Sequence, residues 1–469
     1  MTNVYSSPFG ERYSSKEMLH LFSPDRRYRT WRRLWIALAE EEKKLGLKRI
    51  TDDAIREMKA HAEDIDYDAA RKWEEKLKHD VFAHLRAYEG ECPKAKGIIH
   101  LGATSMYVVD NTDLIVMREG LEILERELTN VIAALAEFAR KLADVPTVAF
   151  THFQPAQFTT VGKRACLWLY DLLLDLDEIA ERRKSLRFLG VKGTTGTQAS
   201  FLELFDGDES KVKKLDQAVT KAMGFEKAYT VSGQTYSRKV DTQIVGALSG
   251  IAQSAHKFAN DLRLLQHLRE IQEPFEDEQV GSSAMAYKRN PMKSERMTSL
   301  ARLLITLYGN AAFTAASQWF ERTLDDSAGK RIAIPEAFLA ADAILQLYLD
   351  VASRLVVNRE IIDANVEREL PAIATENLLM AAVKAGGDRQ ELHERIRRHT
   401  MNGKGKGLID RLKKDGAFKA VRGKIPSLLK PDQYVGRSAS QVAEFLKEEV
   451  EPRLAPRRKV LGLKSEVRV

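Results

Sequence analysis

Residues 281 to 292 read Gly281-Ser282-Ser283-Ala284-Met285-Ala286-Tyr287-Lys288-Arg289-Asn290-Pro291-Met292. Adjacent hydroxyls, a cation and an amide share a polar stretch that ends at a proline, a residue suited to a first helical turn. Such a loop offers hydroxyls, backbone N–H groups, an amide and an ammonium to an anion at a helix N-terminus. Gly-Ser-Ser alone reads as a plain connection between helices; the whole string does not. A second glycine-rich run, Gly190 to Thr197, lacks the Gly-Lys-Ser/Thr ending of a phosphate loop and reads as a hinge or rim loop. No Rossmann glycine pattern occurs. The ten histidines are scattered, and Cys92 and Cys166 form no CxxC pair, so neither a metal nor a cofactor is implied.

The elements that must hold these groups are helical. Leu114, Met117, Leu121, Leu124, Leu128, Val131, Leu135 and Phe138 step by three and four through residues 106–142. Ile244, Leu248, Ile251, Ala255, Phe258, Leu262, Leu265 and Leu268 do the same through 236–272. Segments 157–188, 291–318 and 331–357 look similar. Runs of about 35 residues make helices of roughly 50 Å, and helices that long pack along one another, often across subunits. The reading is an all-α chain of three helical domains: 1–104 with short helices and turns near Ser23-Pro24 and Cys92-Pro93, a central long-helix bundle over 105–357, and 358–469, broken at Gly386-Gly387, Asn402-Gly403 and Pro426.

Of 469 residues, 44% are hydrophobic and 30% charged, ordinary for a globular protein with a large core. The N-terminus is polar with no apolar leader core, and no apolar run approaches the roughly 18 residues that span a bilayer. Two cysteines fit a reducing compartment, and the expectation is a cytoplasmic protein without membrane attachment. The net charge of +7 comes from Lys and Arg spread among nearly as many acids, with a basic run at the end from Arg453 to Lys459 and on to Arg468. A small polyanionic substrate explains that surplus as well as nucleic acid does, and nucleic-acid binding is not expected.

The 281–292 string resembles the signature of the fumarase, aspartase and argininosuccinate lyase superfamily, whose members eliminate fumarate from a substituted succinate. Lys288-Arg289-Asn290-Pro291 looks like the adenylosuccinate lyase branch, where fumarases and aspartases usually read Lys-Val-Asn-Pro and argininosuccinate lyases Lys-Lys-Asn-Pro. The resemblance runs through Lys78-His79-Asp80-Val81, Ile99 to Ser105, Thr151-His152-Phe153-Gln154-Pro155, Ser232-Gly233-Gln234-Thr235-Tyr236 and Trp319 to Ser327. It is nearer the animal-type enzymes than the short bacterial ones. Two departures stand out. Ala286 replaces the usual proline, which loosens the loop. Lys78 replaces the arginine of the animal enzymes, so a two-pronged contact becomes a point charge.

The resemblance implies a fumarate-releasing elimination from adenylosuccinate, giving AMP, and from the succinylated aminoimidazole carboxamide ribotide, giving AICAR. It implies Ser282 as base, with Lys288 stabilising its alkoxide, His152 as acid, and Glu295 orienting that histidine. His152 lies where Thr-His-Phe-Gln-Pro reads as a turn into a helix, and an imidazole donates a proton near neutral pH. Ser283, adjacent to Ser282, is the competing assignment for the base. Arg12, Tyr13, Lys78, His79 and Asp80 would contact the nucleotide and its phosphate. Thr104, Ser105, Gln234, Lys288 and Asn290 would hold the succinyl carboxylates. Arg296, Arg322, Ser327 and Arg331 would complete the phosphate and ribose pocket. Outside these motifs each such Arg reads as a solvated charge and each such His or Ser as structural; His84, His100, His256, His267 and His393 stay structural. The superfamily builds each site from three subunits of a homotetramer. Three rivals remain at this point: another lyase of the superfamily such as argininosuccinate lyase, a non-catalytic crystallin-like protein on this fold, and a basic nucleic-acid binder.

Overall fold

In the computed structural model, which describes residues 4–402 and 407–468, helix accounts for most of the chain. The N-terminal part carries α1 (Pro24–Lys44), α2 (Tyr67–Leu77) and α3 (Asp80–Glu91). The bundle is α4 (Ser105–Lys141), α5 (Val161–Ser185), α6 (Lys239–His267), α7 (Met292–Ala316) and α8 (Asp326–Ser353). A further long helix, α9 (Arg359–Lys384), leads into the C-terminal part. The only strands among the described residues form two antiparallel pairs: β1 (Pro146–Thr151) with β2 (Gln154–Thr160), and the two-residue β3 (Ile271–Gln272) with β4 (Val356–Val357).

The bundle follows from its stripes. Leu114, Leu121, Leu124, Leu128, Val131 and Leu135 of α4 are buried against α5 and α8. Gly162 at the start of α5 lets the two backbones meet, since a Cβ there would lie 2.4 Å from the Ala139 carbonyl oxygen. α8 is apolar nearly all round, and a helix of that kind belongs in an interior. It has the length and mean hydropathy (1.5) of a membrane span, but 83% of that stretch is buried within the protein. The outer faces of α5, α6 and α7 leave Leu167, Tyr170, Leu174, Leu264, Leu303, Tyr308 and Phe313 exposed, which is unusual for a finished surface.

The first 104 residues share one hydrophobic core with the bundle, and α9 joins two cores. Ile362, Val366, Leu370 and Ile373 belong to the large one, whereas Leu378, Leu379 and Ala382 pack with Leu392, Leu408, Leu412 and Phe418 in a smaller one.

Two boundaries differ from the periodicity. The stretch before α5 is not helical from residue 157, because 154–160 pair with 146–151 and Thr160 then caps α5 by accepting the Lys163 N–H (3.2 Å). The helix expected from 236 starts at Lys239. Tyr236 and Arg238 are held by side-chain bonds to Asp241 and Asp110 in a conformation that precedes it.

Candidate active site

Polar groups converge where the starts of α3, α4 and α8 meet the loop before α8. One pocket is lined by Asp80, Arg322, Ser327 and Arg331 together with Arg27, Asp113 and Lys330. Arg331 pairs with Asp80 across 251 residues of sequence. Beneath them lies a buried array. Arg238 gives Nη1 and Nη2 to the two oxygens of Asp110 (3.0 and 2.9 Å) and Nε to Asp326 (2.6 Å). The second oxygen of Asp326 accepts from Nη1 of Arg322 (2.6 Å). Lys330 reaches Asp110 and Asp113 (3.3 and 2.9 Å). Burial opposes the Arg238 charge, but the Asp110 carboxylate outweighs it and holds the guanidinium well above its ordinary value. Burial likewise opposes ionisation of Asp110, and Arg238 and Lys330 overturn that and lower its pKa. Asp241, beside them, goes the other way, because burial dominates and raises it. Buried charges persist only when paired this completely.

The nucleotide-side candidates border this pocket. Lys78 closes α2 in the left-handed conformation (φ 55°), which turns the chain so that His79 caps α3. The His79 Nδ1 accepts the Phe82 N–H (3.4 Å) and its Nε2 lies 3.3 Å from Ser105 Oγ. Thr104 is the N-cap of α4, yet its hydroxyl makes no capping bond, and no acid occupies the first turn. A 37-residue helix thus begins with two hydroxyls and no resident carboxylate, an arrangement that favours an anion. Arg12 lies over Tyr13 (5.9 Å), and Ser15 just after them gives its N–H and Oγ to Asp342 of α8 (2.6 Å each). The Gln234 N–H bonds to the Glu321 carbonyl and its side-chain amide to the Thr194 carbonyl (3.0 Å each), so this segment joins the Arg322 loop. The Gly190–Thr197 run is anchored at its start. Leu189 and Gly190 donate to Asn111, and Val191 and Lys192 to Asp216.

His152 sits elsewhere, at the tip of the β1–β2 hairpin. A hairpin, not a turn into a helix, presents it. His152 and Phe153 are the two turn residues, both left-handed (φ 54° and 57°), between the paired Thr151 and Gln154. Two-residue hairpins need this geometry, and Asn-Gly supplies it more easily. Each bulky residue there costs about 1–3 kcal/mol, strain that the paired strands must hold. The imidazole is exposed and makes no hydrogen bond or ion pair among the described residues.

The signature loop is closed at its base. Asn290 Nδ2 donates to the Gly281 carbonyl (2.8 Å), which commits one amide hydrogen within the loop. The Gln266 amide holds the Arg289 carbonyl (2.9 Å). The expectation that the following helix N-terminus offers a free anion site fails. Buried Glu273 accepts the N–H groups of Lys293 and Ser294 (2.9 and 2.8 Å) and fills that role. The loop's own N–H groups serve instead: Ser282 Oγ accepts from Ala284 and Met285 (3.3 and 3.2 Å). Ser283 is exposed and makes no such bond. The Lys288 ammonium has no partner among the described residues. Glu295 lies 3.9 Å from Arg263 of α6, and no bond joins it to His152 within the chain. Arg296 follows on α7, half-buried.

Residues 15–305 match the family described as Lyase, and residues 371–445 match Adenylosuccinate lyase C-terminus. The chain is 50% identical to adenylosuccinate lyase of Saccharomyces cerevisiae, over 98% of this chain and 97% of the yeast protein. It is 48% identical to that of Schizosaccharomyces pombe, over 96% of each. The chain belongs to the adenylosuccinate lyase family. Schistosoma mansoni adenylosuccinate lyase is 45% identical over 99% of each chain, whereas that of Pyrococcus abyssi is 29% identical over 95% of this chain and 99% of its own. Among solved structures, the 3-carboxy-cis,cis-muconate lactonizing enzyme from Pseudomonas putida superposes with a TM-score of 0.84 at 22% identity, covering 95% of this chain and 99% of that one. A fumarate lyase from Mesorhizobium sp. BNC1 reaches 0.82 at 22% identity, covering 95% and 100%. These two share the all-α fold.

Sequence reasoning did not reach Asp110, Arg238, Asp326 and Lys330. Asp326 lay within a quoted motif, and Arg238 stands two residues after another, but only the fold shows that they meet. His84 and His100 are structural as expected. Burial depresses both to about 4, with His84 stacked on Tyr28 and His100 accepting from Trp35 Nε1 (2.8 Å). Two arginines of the basic C-terminal run are paired within the molecule: Arg453 on Asp177 and Glu449, Arg457 on Glu125.

Proposed function

We propose that this chain is a cytoplasmic homotetrameric lyase that eliminates fumarate from adenylosuccinate, leaving AMP, and from the succinylated aminoimidazole carboxamide ribotide, leaving AICAR. The observation that carries the reading is the near-complete 43–50% identity to adenylosuccinate lyases of yeasts, a fluke and a nematode. The placement of the site residues supports it. Arg322, Arg331 and Ser327 share a pocket that suits a phosphate and ribose, and Thr104 and Ser105 stand at a helix start that suits a carboxylate.

The reaction removes a proton from the carbon next to a succinyl carboxylate and breaks the adjacent C–N bond. Ser282 takes the proton as an alkoxide, which the N–H groups of Ala284 and Met285 stabilise. The electron pair forms the double bond of fumarate. The departing nitrogen takes a proton from His152. Lys288, Gln234 and Asn290 hold the carboxylates, whose charge grows at the transition state. Arg12, Tyr13, Lys78, His79, Asp80 and Arg296 complete the nucleotide contacts. His152 and Ser282 share no contact within one chain, and apolar side chains line the outer bundle faces; both favour sites assembled from several subunits. Glu295 then reaches His152 across such an interface.

Fumarate absorbs in the ultraviolet. Purified protein given each succinylated ribotide in turn should release fumarate from both. Release from only one refutes the dual-substrate reading, and release from argininosuccinate instead replaces it.

A further inference from the structure

We propose that Asp326, backed by Arg238, is the positioning residue that makes this site selective for phosphorylated substrates, by fixing the guanidinium of Arg322. The inference rests on the proposed function and goes one layer deeper into the same pocket.

Arg322 stands in an irregular stretch between α7 and α8 whose neighbours Trp319, Phe320 and Leu324 are exposed. Nothing regular holds its long side chain. Its guanidinium makes one hydrogen bond among the described residues, from Nη1 to Asp326. The remaining N–H groups are uncommitted, and the side chain keeps 16% of its exposure, so they stay available to a ligand. Asp326 itself cannot move. It is 1% exposed, it sits in the first turn of α8, and its other oxygen is pinned by Arg238 Nε. Arg238 has no freedom either, because its two terminal nitrogens are spent on Asp110 of α4. The chain of contacts therefore locks Arg322 to two bundle helices through donors and acceptors whose planar geometry fixes direction as well as distance. A fixed fork binds a phosphate without the rotamer entropy that a free arginine loses on ordering.

The test compares AMP with adenosine as ligands of the full-length protein, by calorimetry and by inhibition of fumarate release. Wild type should favour AMP. In Asp326→Asn the preference should shrink by roughly ten- to hundredfold, the worth of a charge-assisted hydrogen bond, while adenosine affinity changes little. KM for the succinylated nucleotide should rise more than kcat falls. Combining Asp326→Asn with Arg322→Ala should cost no more AMP preference than Arg322→Ala alone, since one acts through the other. Should the Asn protein fail to fold, Asp326→Glu keeps the buried charge and displaces the carboxylate by one methylene, and the same ratios are read. Equal losses for AMP and adenosine, or additive losses in the double variant, overturn the proposal. A protein that prefers AMP but releases no fumarate refutes the proposed function and leaves this assignment intact.

Discussion

Ser105 Oγ lies 3.3 Å from Nε2 of His79, a side chain 26 residues earlier that caps a different helix. Because His79 Nδ1 accepts the Phe82 N–H, Nε2 is the ring nitrogen left to donate to the serine oxygen. The serine hydroxyl hydrogen is then free for a ligand at the start of α4.

Ser105→Ala should therefore weaken carboxylate binding and leave the fold alone, since the Ser105 hydroxyl caps nothing and His79 is held separately by the Phe82 N–H. KM for the succinylated nucleotide should rise by about ten- to hundredfold, the range for a hydrogen bond to a charged group. An unchanged KM, with circular dichroism unchanged as well, would remove Ser105 from the binding set.

Ser282→Ala should stop turnover, a loss of at least about 10²- to 10⁴-fold, while the substrate still binds. The hydroxyl is assigned to the transition state, and only Ser282 receives the two loop N–H groups. Ser283→Ala should remain active. The reverse pattern in steady-state assays would move the base by one residue.

These two serines show where the sequence was legible and where it was not. The string around them carried the chemistry, because a polar glycine-led loop ending at proline is written locally. The long stripes carried the bundle for the same reason, since a period of 3.6 is visible in any window. The support of His152 was misread. A left-handed His-Phe turn has no propensity signature, and the strands that impose it are short. The helix start after Pro291 looked open to an anion until Glu273, 21 residues before the Ser294 whose N–H it accepts, proved to occupy it. Arg238 and Asp326 are 88 residues apart, and nothing in either neighbourhood predicts the bond.

Glu42 gives a prediction about pH. Both of its carboxyl oxygens are buried without a hydrogen-bond partner among the described residues, and burial pushes its pKa up to about 9. Unfolded, it gives up its proton near the ordinary glutamate value of 4.5. Between those values the folded chain binds more protons than the unfolded one, so stability falls as pH rises through that window. Glu42→Gln mimics the protonated side chain. Thermal melts should match wild type near pH 5 and lie several degrees above it near pH 8.5. Parallel curves across that range would mean that Glu42 is ionised and paired in the fold.

Assembly gives the last prediction. His152 projects from a strained hairpin with no partner, and Ser282 lies on a separate loop closed on α6; no contact joins them in one chain. If each catalytic centre takes its histidine and serine from different subunits, two dead variants can repair each other. His152→Ala and Ser282→Ala proteins, unfolded and refolded together, should form mixed tetramers in which some sites receive intact His152 from one chain and intact Ser282 from another. Each intact group lies on half of the chains, so random assortment restores up to roughly a quarter of wild-type activity. Mixing without unfolding should restore less, because subunits must exchange first. Size-exclusion chromatography confirms that the mixed assemblies form. If they form and stay as inactive as either parent, His152 and Ser282 serve each site from a single chain, and the outer faces of α5, α6 and α7 need another explanation for their exposed leucines and aromatics.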